Sequence, residues 1–156
     1  MNAKINTYIP EIIGATFCLG LGMLSGYISN AGDTSWYASL IKPEITPPSW
    51  IFGPIWTILY ILMGIAFGKI TKIKNDPDIQ KLFLIQFFCN ISWSLLFFGL
   101  HKIDIALYDL MLLWALLIAL LIKTYRYKTI FLLLIPYFLW ATFAYILNLE
   151  IFILNL

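Results

Sequence analysis

Five long apolar runs, at approximately 8–29, 49–68, 82–100, 105–122 and 130–154, occupy most of this chain. Each is close to the roughly 20 residues an α-helix needs to cross a bilayer at about 1.5 Å of rise per residue. Inside hydrocarbon every backbone N–H and C=O must be satisfied by the helix itself or by a closed barrel. Barrel strands read as alternating segments of about ten residues, and no such alternation occurs here. Composition agrees, with 62% of the 156 residues hydrophobic and only 12% charged, about half the charge of a soluble domain. The expectation is an all-α integral membrane protein: one domain over 1–156, folded as a single five-helix bundle with a long loop, 30–48, between segments one and two.

Charge gives the bundle two unlike ends. Lys4, Lys69, Lys72, Lys74, Lys81, Lys123, Arg126 and Lys128 gather on the end that holds the N-terminus, here face A; Lys42 and Lys102 fall on the opposite end, face B. The positive-inside rule then predicts a cytoplasmic face A, with the 30–48 loop and the C-terminus on the other side. The connector KITKIKNDPD (69–78) carries a stop and start signal in Asp76-Pro77-Asp78, and Asp104 is the expected N-cap of segment four. The first run lacks the short apolar core and cleavage site of a signal peptide, so it is read as a mature helix.

Several function classes fall away at this stage. A net charge of +2 without a basic stripe argues against nucleic acid. Cys18 and Cys89 stand alone in apolar runs and read as buried thiols. His101, the one histidine, sits in the turn between segments three and four, where a solvated residue is expected and an axial haem ligand is not. One histidine leaves too few parts for a hydrolytic triad or a metal centre.

The six tryptophans are more informative. Trp36 and Trp50 suit an interfacial belt on face B. Trp56, Trp93, Trp114 and Trp140 instead lie deeper, in a layer roughly 10–15 Å below face B. An indole N–H at that depth needs an acceptor or a ligand, because lipid offers none. Asn90, Trp93 and Phe97 share one face of segment three, and Trp140, Ala144 and Asn148 share one face of segment five. Two readings follow. Either these groups line an intramembrane cavity that would stack a flat aromatic ligand, or they are packing, with Asn–indole hydrogen bonds joining helices.

Three stretches carry a resemblance: SWYASLIKPEITPPSWIFGPIWTILYILMG (35–64), NISWSLLFFGLH (90–101) and PYFLWATFAYILN (136–148). In this order, and from about residue 14 to the end, the chain resembles the TspO/MBR family of tryptophan-rich sensory proteins and translocator proteins (peripheral benzodiazepine receptors). The resemblance implies a five-helix bundle whose first loop caps a ligand cavity. It implies binding of porphyrins such as protoporphyrin IX and haem, as ligands rather than required cofactors, and of flat aromatic molecules. Trp36 and Tyr37 match the loop pair that closes over the ligand. Trp56 and Trp140 match the two indoles assigned to ligand contact and to light-dependent porphyrin breakdown. Trp50, Asn90, Trp93 and Phe97 match cavity-lining places, as do Phe143, Ala144, Leu147 and Asn148. Asp109 matches an acid early in the fourth helix, read as an interhelical hydrogen bond ahead of a proton relay. No basic residue follows Tyr145, so the cholesterol-recognition pattern of animal members is missing. Lys81 and Ile85 replace the small residues through which some members dimerise, leaving the glycine-rich first segment (Gly14, Gly20, Gly22, Gly26) as the surface for a homodimer.

Three functions are therefore compared: a receptor or carrier for a tetrapyrrole, a porphyrin-degrading photo-oxidase using Trp56 and Trp140, and a structural membrane protein. Pro43, Pro47 and Pro48 precede segment two and are expected to stiffen the loop into a lid. Gly53 and Pro54 are expected to loosen that segment's first turns.

Overall fold

A computed structural model describes residues 2–31 and 34–156, with side chains from 8–27, 29 and 35–156; Lys4 of the predicted basic face lies outside those side chains. Among the described residues five helices are long and apolar enough to span a membrane, which makes the protein all-α and multi-pass. They are α1 (Asn2–Ala31), α3 (Phe52–Ile70), α4 (Pro77–Ser94), α5 (Ile103–Thr124) and α6 (Lys128–Leu154). A short helix, α2 (Thr34–Ser39), lies within the 30–48 loop. Around the bundle the packing runs α1–α3–α6–α5–α4 and back to α1, closing a ring.

Helix ends follow local chemistry. Helix α4 starts at Pro77, earlier than the residue-82 expectation, because proline at the first helical position loses no needed donor. Asp104 proves to lie inside the first turn of α5, with Lys102 at the cap position; its carboxylate there still complements the helix dipole. Gly53 and Pro54, expected to loosen the first turns, lie in the regular first turn of α3, and a 3₁₀ turn, Ser49–Ile51, precedes them. At its other end α4 widens into a π-helical turn, Leu95–Gly99, closed by Leu100 N–H to Leu95 O at 2.8 Å.

The pair α1 and α3 is held by glycine. A methyl group at Gly14 would strike the backbone of Gly64, one at Gly64 would strike Ala15, and one at Gly68 would strike Pro10 and Glu11. Backbones this close gain dispersion contact that bulkier side chains would forbid, the main attraction available between helices in lipid. Two of the four first-segment glycines are committed within the chain, Gly14 against the α3 backbone and Gly22 against the Tyr60 ring, while a methyl at Gly20 or Gly26 would meet nothing within 4 Å. At face A the seam ends in a buried carboxylate, Glu11, gripped through both oxygens by Lys72 Nζ at 2.8 and 2.9 Å. Asp76 ties the two face-A connectors together, 3.0 Å from Arg126 and 3.4 Å from Lys123.

Gly20 gives the internal control, since a methyl there meets nothing within 4 Å. Gly64→Ala should cost about 2–3 kcal/mol of stability through overpacking against backbone. Gly20→Ala should instead stabilise α1 by roughly 0.5–1 kcal/mol. Thermal unfolding in detergent micelles measures both, and equal behaviour of the two variants would refute the seam.

Candidate functional site

Toward face B the bundle opens. A cavity of about 860 Å³ lies between α1, α3, α4 and α6 beneath the 30–48 loop, within the range of about 300–1,000 Å³ typical of small-molecule sites. Eight residues singled out from sequence line it: Tyr37, Trp50, Trp56, Asn90, Trp93, Phe97, Ala144 and Asn148. Phe52, Tyr60 and Phe98 add further rings, and Leu19, Gly22, Ser25, Gly26 and Lys42 contribute from α1 and the loop.

The π turn explains the aromatic crowding on α4. A π turn spreads its residues over about 4.4 positions instead of 3.6, so Phe97 and Phe98 both reach the wall that Trp93 occupies. Their rings stand 4.9 Å apart, and Trp93 stacks on Phe97 at 5.4 Å. On α3, Trp56 stacks on Tyr60 at 5.4 Å. Two stacked aromatic pairs thus line the cavity, one from α3 and one from α4 and its π turn.

Polar wall groups are mostly engaged. Asn148 accepts from Trp93 Nε1 at 3.0 Å and donates to Ile103 O at 3.3 Å, joining α6 to α4 and α5. Tyr60 donates its hydroxyl to Asn90 Oδ1 at 2.8 Å, and Ser25 bonds Ser94 at 2.7 Å. The Asn–indole packing bond and the cavity are therefore both present, and the two sequence readings coexist.

Four residues expected in the lining lie outside it. Trp36 is half-buried in the lid, its ring edge-on to Phe97 at 5.5 Å and stacked on His101 at 4.2 Å with an 11° tilt. Trp140 packs against Phe52 and Phe143 at 5.9 and 5.3 Å, and its indole N–H has no partner. Phe143 and Leu147 pack in the apolar cluster beneath the lid. Trp114 turns away as well, donating to Thr142 Oγ1 at 2.9 Å between α5 and α6. Asp109 accepts from Ser92 at 3.1 Å, a bond between α4 and α5.

His101 corrects the expectation of a solvated turn residue. Its φ of 54° ends α4 in the left-handed conformation, which a side chain at this C-terminal position can adopt. The ring thereby reaches Trp36 and pins the lid. Asn155 makes a second clasp that the sequence reading missed: Ile41 N–H donates to its Oδ1 at 3.0 Å, and its Nδ2 donates to Ile41 O at 2.9 Å. After Pro43 the loop turns, with Pro43 O accepting from both Thr46 N–H and Thr46 Oγ1. Burial pushes the Tyr37 hydroxyl above its ordinary pKa, so it stays neutral beneath the lid.

The sequence profile of the TspO/MBR family matches residues 14–154. The tryptophan-rich protein TspO of Chlorobaculum tepidum is 38% identical over 157 aligned positions, spanning 93% of this chain and 98% of that protein. Its namesake in Archaeoglobus fulgidus is 37% identical, spanning 88% of this chain and 91% of its own length. The bovine translocator protein is 34% identical, spanning 90% of this chain and 87% of its own.

Asn155→Ala removes both lid hydrogen bonds, worth about 1 kcal/mol each. Hydrogen exchange of the Tyr37–Ile41 amides should then speed up roughly tenfold or more. His101→Ala should act in the same direction, as should Pro47→Ala combined with Pro48→Ala. Unchanged exchange in all three would mean the lid is not held by these contacts.

Proposed function

Because the chain belongs to the TspO/MBR family, whose members are membrane sensory and translocator proteins, we propose that it is a receptor or carrier holding a tetrapyrrole such as protoporphyrin IX or haem beneath its lid. What carries this reading is that two stacked aromatic pairs, Trp56–Tyr60 from α3 and Trp93–Phe97 from α4 and its π turn, line one membrane-embedded cavity. A flat macrocycle gains area and stacking on both sides, each aromatic pair being worth about 0.5–1.5 kcal/mol beyond simple burial. The hydrogen bonds of Asn90 and Asn148 tie the walls to one another and occupy much of the polarity deep in the site.

The degradation reading is favoured by one feature only, the Trp56 ring at the wall. Trp140 reaches the site through Phe52. In that reading light and oxygen supply the chemistry, and the protein orients the macrocycle and excludes water.

Titrating the purified protein with protoporphyrin IX should quench tryptophan fluorescence saturably, with affinity lowered roughly three- to tenfold in Trp56→Ala. No saturable quenching would sink the proposal. Under illumination, bleaching of the bound porphyrin no faster than that of the free compound would eliminate degradation. Faster bleaching abolished by Trp56→Phe would establish it.

We assign face A to the cytoplasm, because Lys69, Lys72, Lys74, Lys123 and Arg126 stand at that end. A C-terminal alkaline phosphatase fusion in a bacterial host should therefore be active, and an active fusion after the 69–78 connector would reverse the assignment.

A further inference from the structure

Among the described residues that line the cavity, Lys42 is the one ionised side chain, and no Asp or Glu accompanies it. It stands in the lid, at the mouth of a site otherwise walled by indoles, phenyl rings, glycines, serines and neutral amides. Its Nζ makes only long contacts with neutral groups: Ala38 O at 3.3 Å, Leu40 O at 3.2 Å and the Tyr37 ring at 4.7 Å from its centroid. A charge-assisted bond to a carboxylate is shorter, about 2.7–2.9 Å, and roughly twice as strong. An ammonium at the rim of an apolar, water-poor space therefore favours an anionic occupant over a neutral one of the same shape.

We propose that Lys42 reads an anionic carboxylate at the lid end of the ligand, so that the cavity selects flat aromatic acids over their neutral esters. This rests on the aromatic-cavity reading above. The ring body stacks between Trp56 and Trp93, while the acid group remains at the mouth, where desolvation is least. Lys42 then exchanges its two backbone carbonyls for the ligand, and the lid closes over a neutralised pair. The competing role is structural. The same two carbonyls lie at and just beyond the C-terminal end of α2, where a lysine can simply cap a helix.

The experiment compares protoporphyrin IX with its dimethyl ester by fluorescence titration, against the unaltered protein, Lys42→Met and Lys42→Arg. The unaltered protein should bind the diacid roughly five- to tenfold more tightly than the ester, as for a partly exposed charge-assisted contact. Lys42→Met should bring diacid affinity down to that of the ester, and Lys42→Arg should restore most of the difference. The preference should also shrink as salt rises. If Lys42→Met weakens diacid and ester equally, the lysine is a lid cap and the proposal is overturned, while the cavity reading stands. If diacid and ester bind the unaltered protein alike, charge is not read and the proposal likewise falls. Failure of both compounds to bind saturably overturns the cavity reading and this one with it.

Discussion

The contact on which the rest of the molecule depends is the backbone seam between α1 and α3. These helices run antiparallel, and their separation changes along their length. Gly14, Gly64 and Gly68 bring backbone against backbone in the face-A half. One step toward face B the Tyr60 ring stands over Gly22, and beyond that a methyl at Gly26 or Gly53 would meet nothing. The pair is thus pinched at one end and splayed at the other, and the cavity is the splay. Lipid contributes no hydrophobic drive between helices, so small residues at the pinch decide where the bundle can close. Glu11, paired with Lys72 and 3.6 Å from Lys69, fixes that same end.

Polar groups then divide between holding the walls and holding the lid. Tyr60–Asn90, Trp93–Asn148 and Ser25–Ser94 each join two helices around the cavity. With those bonds made, the interior offers mainly π-faces and apolar area. The lid is fastened by different chemistry, a ring stack at His101 and an amide pair at Asn155. Both fasteners lie at helix ends on face B, so the lid can be released without disturbing the bundle.

The division explains what was legible in the sequence. Five spanning helices, the long loop and the face holding Asn90, Trp93 and Phe97 follow from length and 3.6-residue spacing. Trp140 was harder, because α6 is apolar on every side and its pattern names no inward face. The indole's side is decided by packing against Phe52 and Phe143, contacts that spacing does not encode. The π turn admitting Phe98 leaves no local mark in LLFFG, since the extra residue is tolerated only for what it packs against. His101 looked solvated because a turn position says nothing of a loop arriving from elsewhere. Asn155 was overlooked for the same reason, although a lone amide at the end of an apolar tail is a signal that a backbone partner is near.

The floor of the cavity bears on how such a protein works. Below Tyr60 the rings of Phe87, Phe83 and Phe67 follow one another at 6.2, 6.0 and 4.7 Å, and all of this sits beside the glycine seam. Passage through to face A would require parting backbones already in contact and unstacking these rings together. Opening toward face B requires only the release of two lid fasteners. The cavity is thus open to change at face B and closed at face A. Any path through the bundle to face A requires a rearrangement of α1 against α3, and the glycine seam is the element that such a rearrangement must break.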